Sequence, residues 1–286
     1  MPEGHTLFRL AQTLHEHFAE REVRVSSPQG RFVDAAALLD GTVLESASSY
    51  GKHLFTDFAE DRCVHVHLGL YGTFAVHEGA ALPPVGQVRL RLVAPGGDGR
   101  PAAYGDLRGA TACELIAPEE RGRLLDRLGP DPLRPGSDWT RAWDRVSRSR
   151  APVGGLLMDQ AVLAGIGNVY RAEVLFRHRV DPLRPGNTLR RVTFEHLWHD
   201  LVELLADGVR VGRIVTVHPP RDDALVGRVQ QADPQLLGRS PVFVYRRAGE
   251  PCFVCGAVVR TQELAGRNLF WCPRCQPRFR SRARAA

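Results

Sequence analysis

The sequence predicts an α+β chain of two domains, and three observations carry that prediction. One amphipathic helix is followed by short alternating strands over roughly 22–117. A Pro/Gly-rich break at 129–137 then gives way to helical periodicities. Two Cys-x2-Cys pairs near the C-terminus predict a metal-held hairpin behind the helices. The 286 residues suit two domains at roughly 150 residues each. A hydrophobic content of 43% lets each bury a core. The longest run without Lys, Arg, Asp or Glu, Cys63 to His77, is 15 residues and includes three His. A membrane helix needs about 20 apolar residues, so no span is expected. The opening Met-Pro-Glu-Gly-His has neither a basic nor an apolar leader region, so a cytoplasmic protein is expected.

In chain order, residues 2–20 read as a helix, with Leu7, Leu10, Leu14 and Phe18 at helical spacing beside Ala11. Pro2 suits a first turn, where its missing N–H has no partner, and Glu3 there favours the helix dipole. Val64, Val66, Leu68 and Leu70 alternate with Cys63, His65, His67 and Gly69. Val88, Leu90 and Leu92 alternate with Gln87, Arg89 and Arg91. Gly and Pro clusters separate such runs, as in a sandwich or a barrel. After the linker, helices are expected over 138–148, 153–163, 168–178 and 193–208. The polar segment 212–241 has no clear periodicity and reads as a mobile loop. Alternation returns from Val242. The expected division is a strand-rich domain at 1–128, a linker at 129–137, a helical domain at 138–241, and a metal-binding module with a basic tail at 242–286. No oligomerisation stripe is visible, so a monomer is expected.

Charge is unevenly placed. Residues 246–286 hold nine Arg and two Glu, whereas the other 245 residues carry 29 basic and 30 acidic side chains. The whole excess of the net +6 therefore sits in the last 41 residues. A basic terminal patch points to a polyanion, nucleic acid first, against the plainer reading of a solvated tail. Every one of the 38 basic residues except Lys52 is arginine. Lysine can lose its proton or form an imine and arginine does neither, which makes Lys52 a candidate functional group.

Cys252, Cys255, Cys272 and Cys275 have the spacing of a four-thiolate zinc ribbon. Disulfides fit poorly in a chain without a signal, and four thiolates leave no open position for catalysis. One structural Zn²⁺ is expected, with Arg260, Arg267, Arg274 and Arg278 around it as phosphate-reading groups. Cys63 and Cys113 read as buried thiols. His65 and His67 lack an evident third metal ligand.

Removal of the initiator Met would expose Pro2 as a secondary α-amine. Such a group titrates near 8, so a useful fraction is neutral at pH 7. A neutral secondary amine attacks an aldehyde-like carbon and gives an iminium ion. Glu3 beside it can move protons. The plainer reading is a helix start with a well-placed proline.

These segments together resemble the formamidopyrimidine-DNA glycosylase/endonuclease VIII family over nearly the whole chain. Pro2-Glu3-Gly4-His5-Thr6 resembles the opening of the endonuclease VIII branch, in a bacterial subgroup. Gly51-Lys52-His53 matches the turn with the family's β-domain lysine. His67-Leu68-Gly69-Leu70-Tyr71-Gly72 matches its base-stack wedge. Gly165-Ile166-Gly167-Asn168, with Tyr170 and Glu173, matches its helix–two-turns–helix. Gly249-Glu250-Pro251-Cys252 and Cys272-Pro273-Arg274-Cys275-Gln276 match its zinc finger.

The resemblance implies an N-terminal helix on a β-sandwich, then a helical domain with a four-cysteine β-hairpin zinc finger, and damaged DNA in the cleft between them. It implies a bifunctional glycosylase and abasic-site lyase of base excision repair that flips the damaged nucleotide out of the stack. Pro2 would attack C1′, Glu3 would assist sugar opening, and Lys52 would stabilise charge at the phosphate or sugar. Leu70 and Tyr71 would fill the gap left by the base, against a core role for Leu70. Arg108, Asn168 and Arg267 would contact DNA, and Glu173 would support the active site. β,δ-Elimination would follow. The counterpart of the purine branch's stack-filling Asp-Pro-Arg-Arg-Phe loop is Asp106-Leu107-Arg108-Gly109-Ala110, without Phe. Oxidised pyrimidines are therefore the expected substrates. The alternatives are a purine-specific glycosylase and a non-enzymatic zinc-ribbon protein that binds damaged DNA.

Overall fold

The computed structural model describes residues 2–97, 99–217 and 242–280. The expectations placed on 218–241 and on the tail at 281–286 lie outside the described residues. The chain divides into two compact units after Arg127.

The first unit begins with α1 (Gly4–Phe18), which buries Leu7, Ala11, Leu14 and Phe18, the predicted stripe. Its start corrects the sequence reading. Glu3 is the extended N-cap, at φ −125 and ψ 179, and Pro2 lies outside the helix. The Thr6 N–H donates to the Glu3 carbonyl at 2.9 Å, while the Glu3 N–H donates to the Thr6 hydroxyl at 3.4 Å. Thr6 thereby ties down the cap two residues inside the expected start.

The strands follow as β1 (Arg21–Ser26), β2 (Thr42–Tyr50), β3 (His53–Phe58), β4 (Arg62–His67), β5 (Thr73–Glu78), β6 (Val88–Ala94), β7 (Ala103–Arg108) and β8 (Ala112–Ile116). The sheet order is β5-β7-β6-β1-β2-β3-β4-β8, with every pair antiparallel. β1 serves two layers. Arg21–Val23 pair with β2, and Arg24–Ser26 pair with β6. Leu54, Val64 and Val66 of one layer share a single core with Leu90, Leu92 and Leu107 of the other and with α1. This is the expected sandwich on a helix.

Two helices interrupt or follow the strands, contrary to the uniform strand reading of 22–117 and the absence of a helix before the linker. They are α2 (Val33–Leu39) and α3 (Pro118–Asp126). α2 is short and buries only Ala36 and Leu39, too few to register as a periodicity. α3 buries no residue fully and half-buries only Leu124 and Leu125 among its apolar side chains, although Pro118, Glu119 and Glu120 form a legible start.

The second unit holds α4 (Thr140–Val146), α5 (Val153–Leu156), α6 (Asn168–Arg177) and α7 (Arg191–Val211), then the hairpin of β9 (Arg260–Leu264) and β10 (Arg267–Trp271). α5 is far shorter than the expected 153–163. The Asp159 carboxylate accepts the Ala161 N–H at 2.9 Å, and this turn competes with helix continuation. α4 is trimmed at both ends, and α7 outlasts 193–208 until Gly212 closes it in the left-handed conformation, at φ 77. Tyr170, Val174, Phe194, Leu197 and Leu201 form the helical core. Phe176, Phe243, Val244 and Phe270 form a smaller core with Cys252 and Cys272.

Candidate active site and metal centre

In the first unit, Pro2 lines a cavity of about 370 Å³ together with Thr6, Leu10, Leu70, Tyr71 and Phe74. Glu3 is fully buried next to it in sequence. The loop between β4 and β5 is wound tightly. A Cβ on Gly72 would stand 2.2 Å from the Leu68 carbonyl oxygen, so only glycine allows this close approach. Leu68 is buried below, whereas Leu70 is 39% and Tyr71 88% exposed. Leu70 is therefore not a core residue. The Tyr71 ring stands in water on this tight loop and packs into no core.

Lys52 occupies the β2–β3 turn. Tyr50 pairs with His53, leaving a two-residue loop, and Gly51 alone takes a positive φ, 57. That is a type II′ turn, which wants glycine at its first central position. Lys52 is set at the hairpin tip and does not line the Pro2 cavity.

Next to it His53 joins His65 and His67, an association that the sequence reading missed. His53 pairs across the strands with His67, and His65 lies on the same face. His53 Nδ1 is 2.9 Å from His65 Nε2, and the His53 and His67 ring centroids are 5.1 Å apart. The Gly69 N–H donates to His67 Nδ1 at 3.2 Å, and the Thr111 N–H donates to the His67 carbonyl at 2.9 Å. His67 thus anchors the base of the Leu70–Tyr71 loop. The His-x-His on a strand was legible, but its His53 partner depends on strand register.

Burial, then the charges of His65, His67 and Lys52, lowers the His53 pKa to about 3. Burial lowers His5 to about 4. Both rings would titrate near 6.5 in the unfolded chain. Acid therefore protonates the unfolded state first, and stability falls as pH drops from 6.5 toward 3. Thermal unfolding at pH 4.5 against pH 7.5 should show a loss on the order of 2 kcal/mol from each ring. A His53→Asn variant should show a shallower slope.

Arg108 and Asp106 belong to β7, so the expected 106–110 loop shrinks to the short turn after Arg108. Asp106 is buried and accepts two hydrogen bonds from Arg91, at 2.6 and 2.9 Å, and one from Arg108 at 2.8 Å. Burial pushes its carboxyl up, but the bonds and charges of Arg91 and Arg108 outweigh this and hold it below the usual range. Arg108 also donates to the Val85 carbonyl at 3.1 Å and stays one-third exposed. Asp106→Ala strands the buried Arg91 and should cost about 3–5 kcal/mol in urea unfolding.

In the second unit, Asn168 opens α6, is buried, and donates to the Asn268 carbonyl of β10 at 3.0 Å. Arg171, one turn on, is fully buried and bonds the Asn168 side chain and the Gly154 carbonyl. It also reaches the Leu264 and Asn268 carbonyls of the hairpin. The sequence reading missed this residue, although a lone Arg amid Val169, Tyr170, Val174 and Leu175 was its signal. Arg267 stands exposed beside the Ala265-Gly266 turn, in which both residues take positive φ. Asn168 and Arg267 therefore share one helix–hairpin assembly.

Glu173 is fully buried. Its carboxylate accepts the Thr216 hydroxyl at 2.7 Å and the N–H groups of Phe243, Val244 and Tyr245 at 2.6, 2.9 and 2.9 Å. It joins the chain on either side of the segment 218–241.

The four sulfurs of Cys252, Cys255, Cys272 and Cys275 lie within 4.8 Å of one another. Cys252–Cys275 and Cys255–Cys272 are 3.8 and 3.4 Å apart. A disulfide needs about 2.05 Å. A tetrahedral ion with bonds of about 2.3 Å sets its sulfurs about 3.8 Å apart, so the donor set fits zinc. Gln276 locks the second knuckle, accepting the Cys272 N–H at 3.0 Å and donating to the Val180 carbonyl at 2.9 Å. Cys63 and Cys113 are buried thiols pushed up to about 12 by burial. Among the described residues no helix is long and apolar enough to cross a membrane.

Family models match three successive stretches: the formamidopyrimidine-DNA glycosylase N-terminal domain over 1–113, its H2TH domain over 128–218, and the zinc finger found in FPG and IleRS over 249–278. The chain belongs to the formamidopyrimidine-DNA glycosylase/endonuclease VIII family. Within it, "Endonuclease 8 1" of Mycobacterium tuberculosis is 51% identical over 96% of this chain and 100% of its own. The "Formamidopyrimidine-DNA glycosylase" of Methylococcus capsulatus is 31% identical over 90% of this chain and 89% of its own. Lactococcus lactis Fpg in complex with abasic-site DNA shares the fold, with a TM-score of 0.76 at 20% identity, over 96% of this chain and 100% of that one.

Proposed function

We propose that this DNA glycosylase is also an abasic-site lyase and that its preferred substrates are oxidised pyrimidines in DNA. The observation that carries the reading is the cavity shared by Pro2 and the exposed Leu70–Tyr71 loop, with the buried Glu3 carboxylate adjacent to Pro2 in the chain.

Leu70 and Tyr71 take the place of the flipped base in the stack. With Met1 removed, the neutral Pro2 nitrogen bonds to C1′ as the C1′–base bond breaks and the electron pair leaves with the base. The Glu3 carboxylate takes the proton from the Pro2 ammonium and passes it to O4′ as the C1′–O4′ bond opens to an iminium ion. Loss of a C2′ proton expels the 3′ phosphate, a second elimination expels the 5′ phosphate, and water releases Pro2. The Lys52 ammonium offsets phosphate charge. Arg108, Asn168 and Arg267 contact the DNA, and Glu173 holds the flanking chain. Zn²⁺ on the four thiolates has a structural part only, since no ligand position stays open.

The pyrimidine preference rests on the 51% identical relative's name and on Ala110 standing where the purine branch has Phe. Duplexes with a single oxidised pyrimidine or a single 8-oxoguanine test it. The pyrimidine strand should be cut at least about tenfold faster, a barrier difference of about 1.4 kcal/mol. Faster cutting at 8-oxoguanine would assign the purine branch instead.

A further inference from the structure

At one end of the β5-β7-β6 layer three tips of chain meet around Arg108. Arg108 ends β7 and pairs with Thr73, which opens β5, and with Val88, which opens β6. The Leu70–Tyr71 loop runs into Thr73, and the β5–β6 connection, residues 79–87, runs into Val88. The turn after β1 closes on the same point, because the Gln29 N–H donates to the Val88 carbonyl at 2.9 Å. The proposed function uses only the first of these tips and Arg108.

The 79–87 connection differs from an ordinary solvated loop. All of its residues are exposed and none is charged. Val85 is 76% exposed. The backbone is nevertheless held from beneath. Arg91 donates to the Leu82 carbonyl at 2.7 Å and Arg108 to the Val85 carbonyl at 3.1 Å, and the buried Asp106 carboxylate braces both guanidinium groups. Pro83 and Pro84 fix two φ angles between those carbonyls. Beside them Gln29 Nε2 donates to Gln87 Oε1 at 2.7 Å, so the Gln87 NH2 group faces away from Gln29. An apolar side chain, an amide and a guanidinium are thus presented together on a rigid support.

We propose that this end of the layer seats the DNA strand opposite the lesion. Val85 packs on the sugar and base left without a partner, the Gln87 amide donates to a base edge, and Arg108 offsets phosphate charge. The proposal rests on the reading that Leu70 and Tyr71 enter the stack. Tyr71 and Thr73 line the Pro2 cavity on the β5 side. β6 stands two strand spacings from β5, about 10 Å. A duplex separates its strands by a similar step, with grooves about 6 and 12 Å wide. One rigid layer therefore serves the lesion strand at Pro2 and the opposite strand at Val85.

The test uses the full chain, the Val85→Ser/Gln87→Ala pair and, as a control on the same connection, Leu82→Ser, whose carbonyl is held further along the sheet by Arg91. Each is bound to a duplex with tetrahydrofuran in place of the lesion nucleotide and the fluorescent base 2-aminopurine opposite it. Each is also assayed for cutting of one damaged strand, alone and in duplex. The pair should bind the duplex about tenfold more weakly, and its ratio of duplex to single-strand cutting should fall about tenfold. Its 2-aminopurine signal change on binding should shrink, and Leu82→Ser should follow the wild type. Equal losses on single strand and duplex, or wild-type behaviour of the pair, would overturn the proposal. So would an equal effect of Leu82→Ser, because the contact would then not lie at Val85 and Gln87. The fluorescence measurement needs no chemistry. A wild-type chain that fails to cut, yet gives a signal that the pair loses, would overturn the lyase reading and support the opposite-strand seat.

Discussion

A chain whose Pro2 nitrogen is acylated by a retained N-terminal extension should give no borohydride-trapped adduct with abasic-site DNA. Strand cutting should fall by at least about a thousandfold, roughly 4 kcal/mol at the barrier. An amide nitrogen has no available lone pair, so the covalent route closes completely. Pro2→Gly leaves a primary amine and should retain a slower adduct. Neither change should disturb the fold, because α1 starts at Gly4 and its cap is tied through Thr6. Circular dichroism would check that point. A persistent adduct in the acylated chain would move the nucleophile to Lys52, the only lysine in the sequence.

The second large effect is expected from Cys272→Ser. Cys272 is fully buried, 3.4 Å from the Cys255 sulfur, in a core with Phe243, Val244 and Phe270. Structural zinc contributes about 10–16 kcal/mol of folding free energy in small zinc modules. The β9–β10 hairpin has little else, since β9 is exposed along nearly its whole length and only Leu269 and Phe270 of β10 are buried. Loss of the hairpin would also strip the buried Arg171 of the Leu264 and Asn268 carbonyls. The variant should lose its zinc, become protease-sensitive within 242–280, and bind DNA at least about tenfold more weakly through loss of Arg267. The first unit keeps its own core and should resist the protease. Undiminished DNA affinity in a zinc-free variant would remove the finger from the DNA interface.

Much of the fold was legible because its signals are local. The stripe of α1, the strand alternation and the Cys spacing each depend on residues within a few positions of one another. The missed helices show the limit of that reading. α2 buries too little to register as a period, and α3 buries no residue fully, only half-burying Leu124 and Leu125. The expected helix at 153–163 failed for another local reason, the Asp159 turn, which a periodicity count passes over. The placement of Pro2 in the first turn failed because Thr6 holds Glu3 as the cap.

The sequence by itself determined the chemistry available to this protein: a proline and a glutamate at positions 2 and 3, a single lysine, four thiols in two pairs, and a basic end. Those are properties of residue type and spacing, which the chain carries before it folds. Tertiary structure decided which of these groups meet. It placed Pro2 on one cavity with Tyr71, joined His53 to His65, and fastened Asn168 and Arg171 to a hairpin about a hundred residues away. It also buried Glu173 among four donors from 216 and 243–245. Such contacts follow from strand register and from the need to satisfy every buried polar group, and neither is encoded in any short window of sequence.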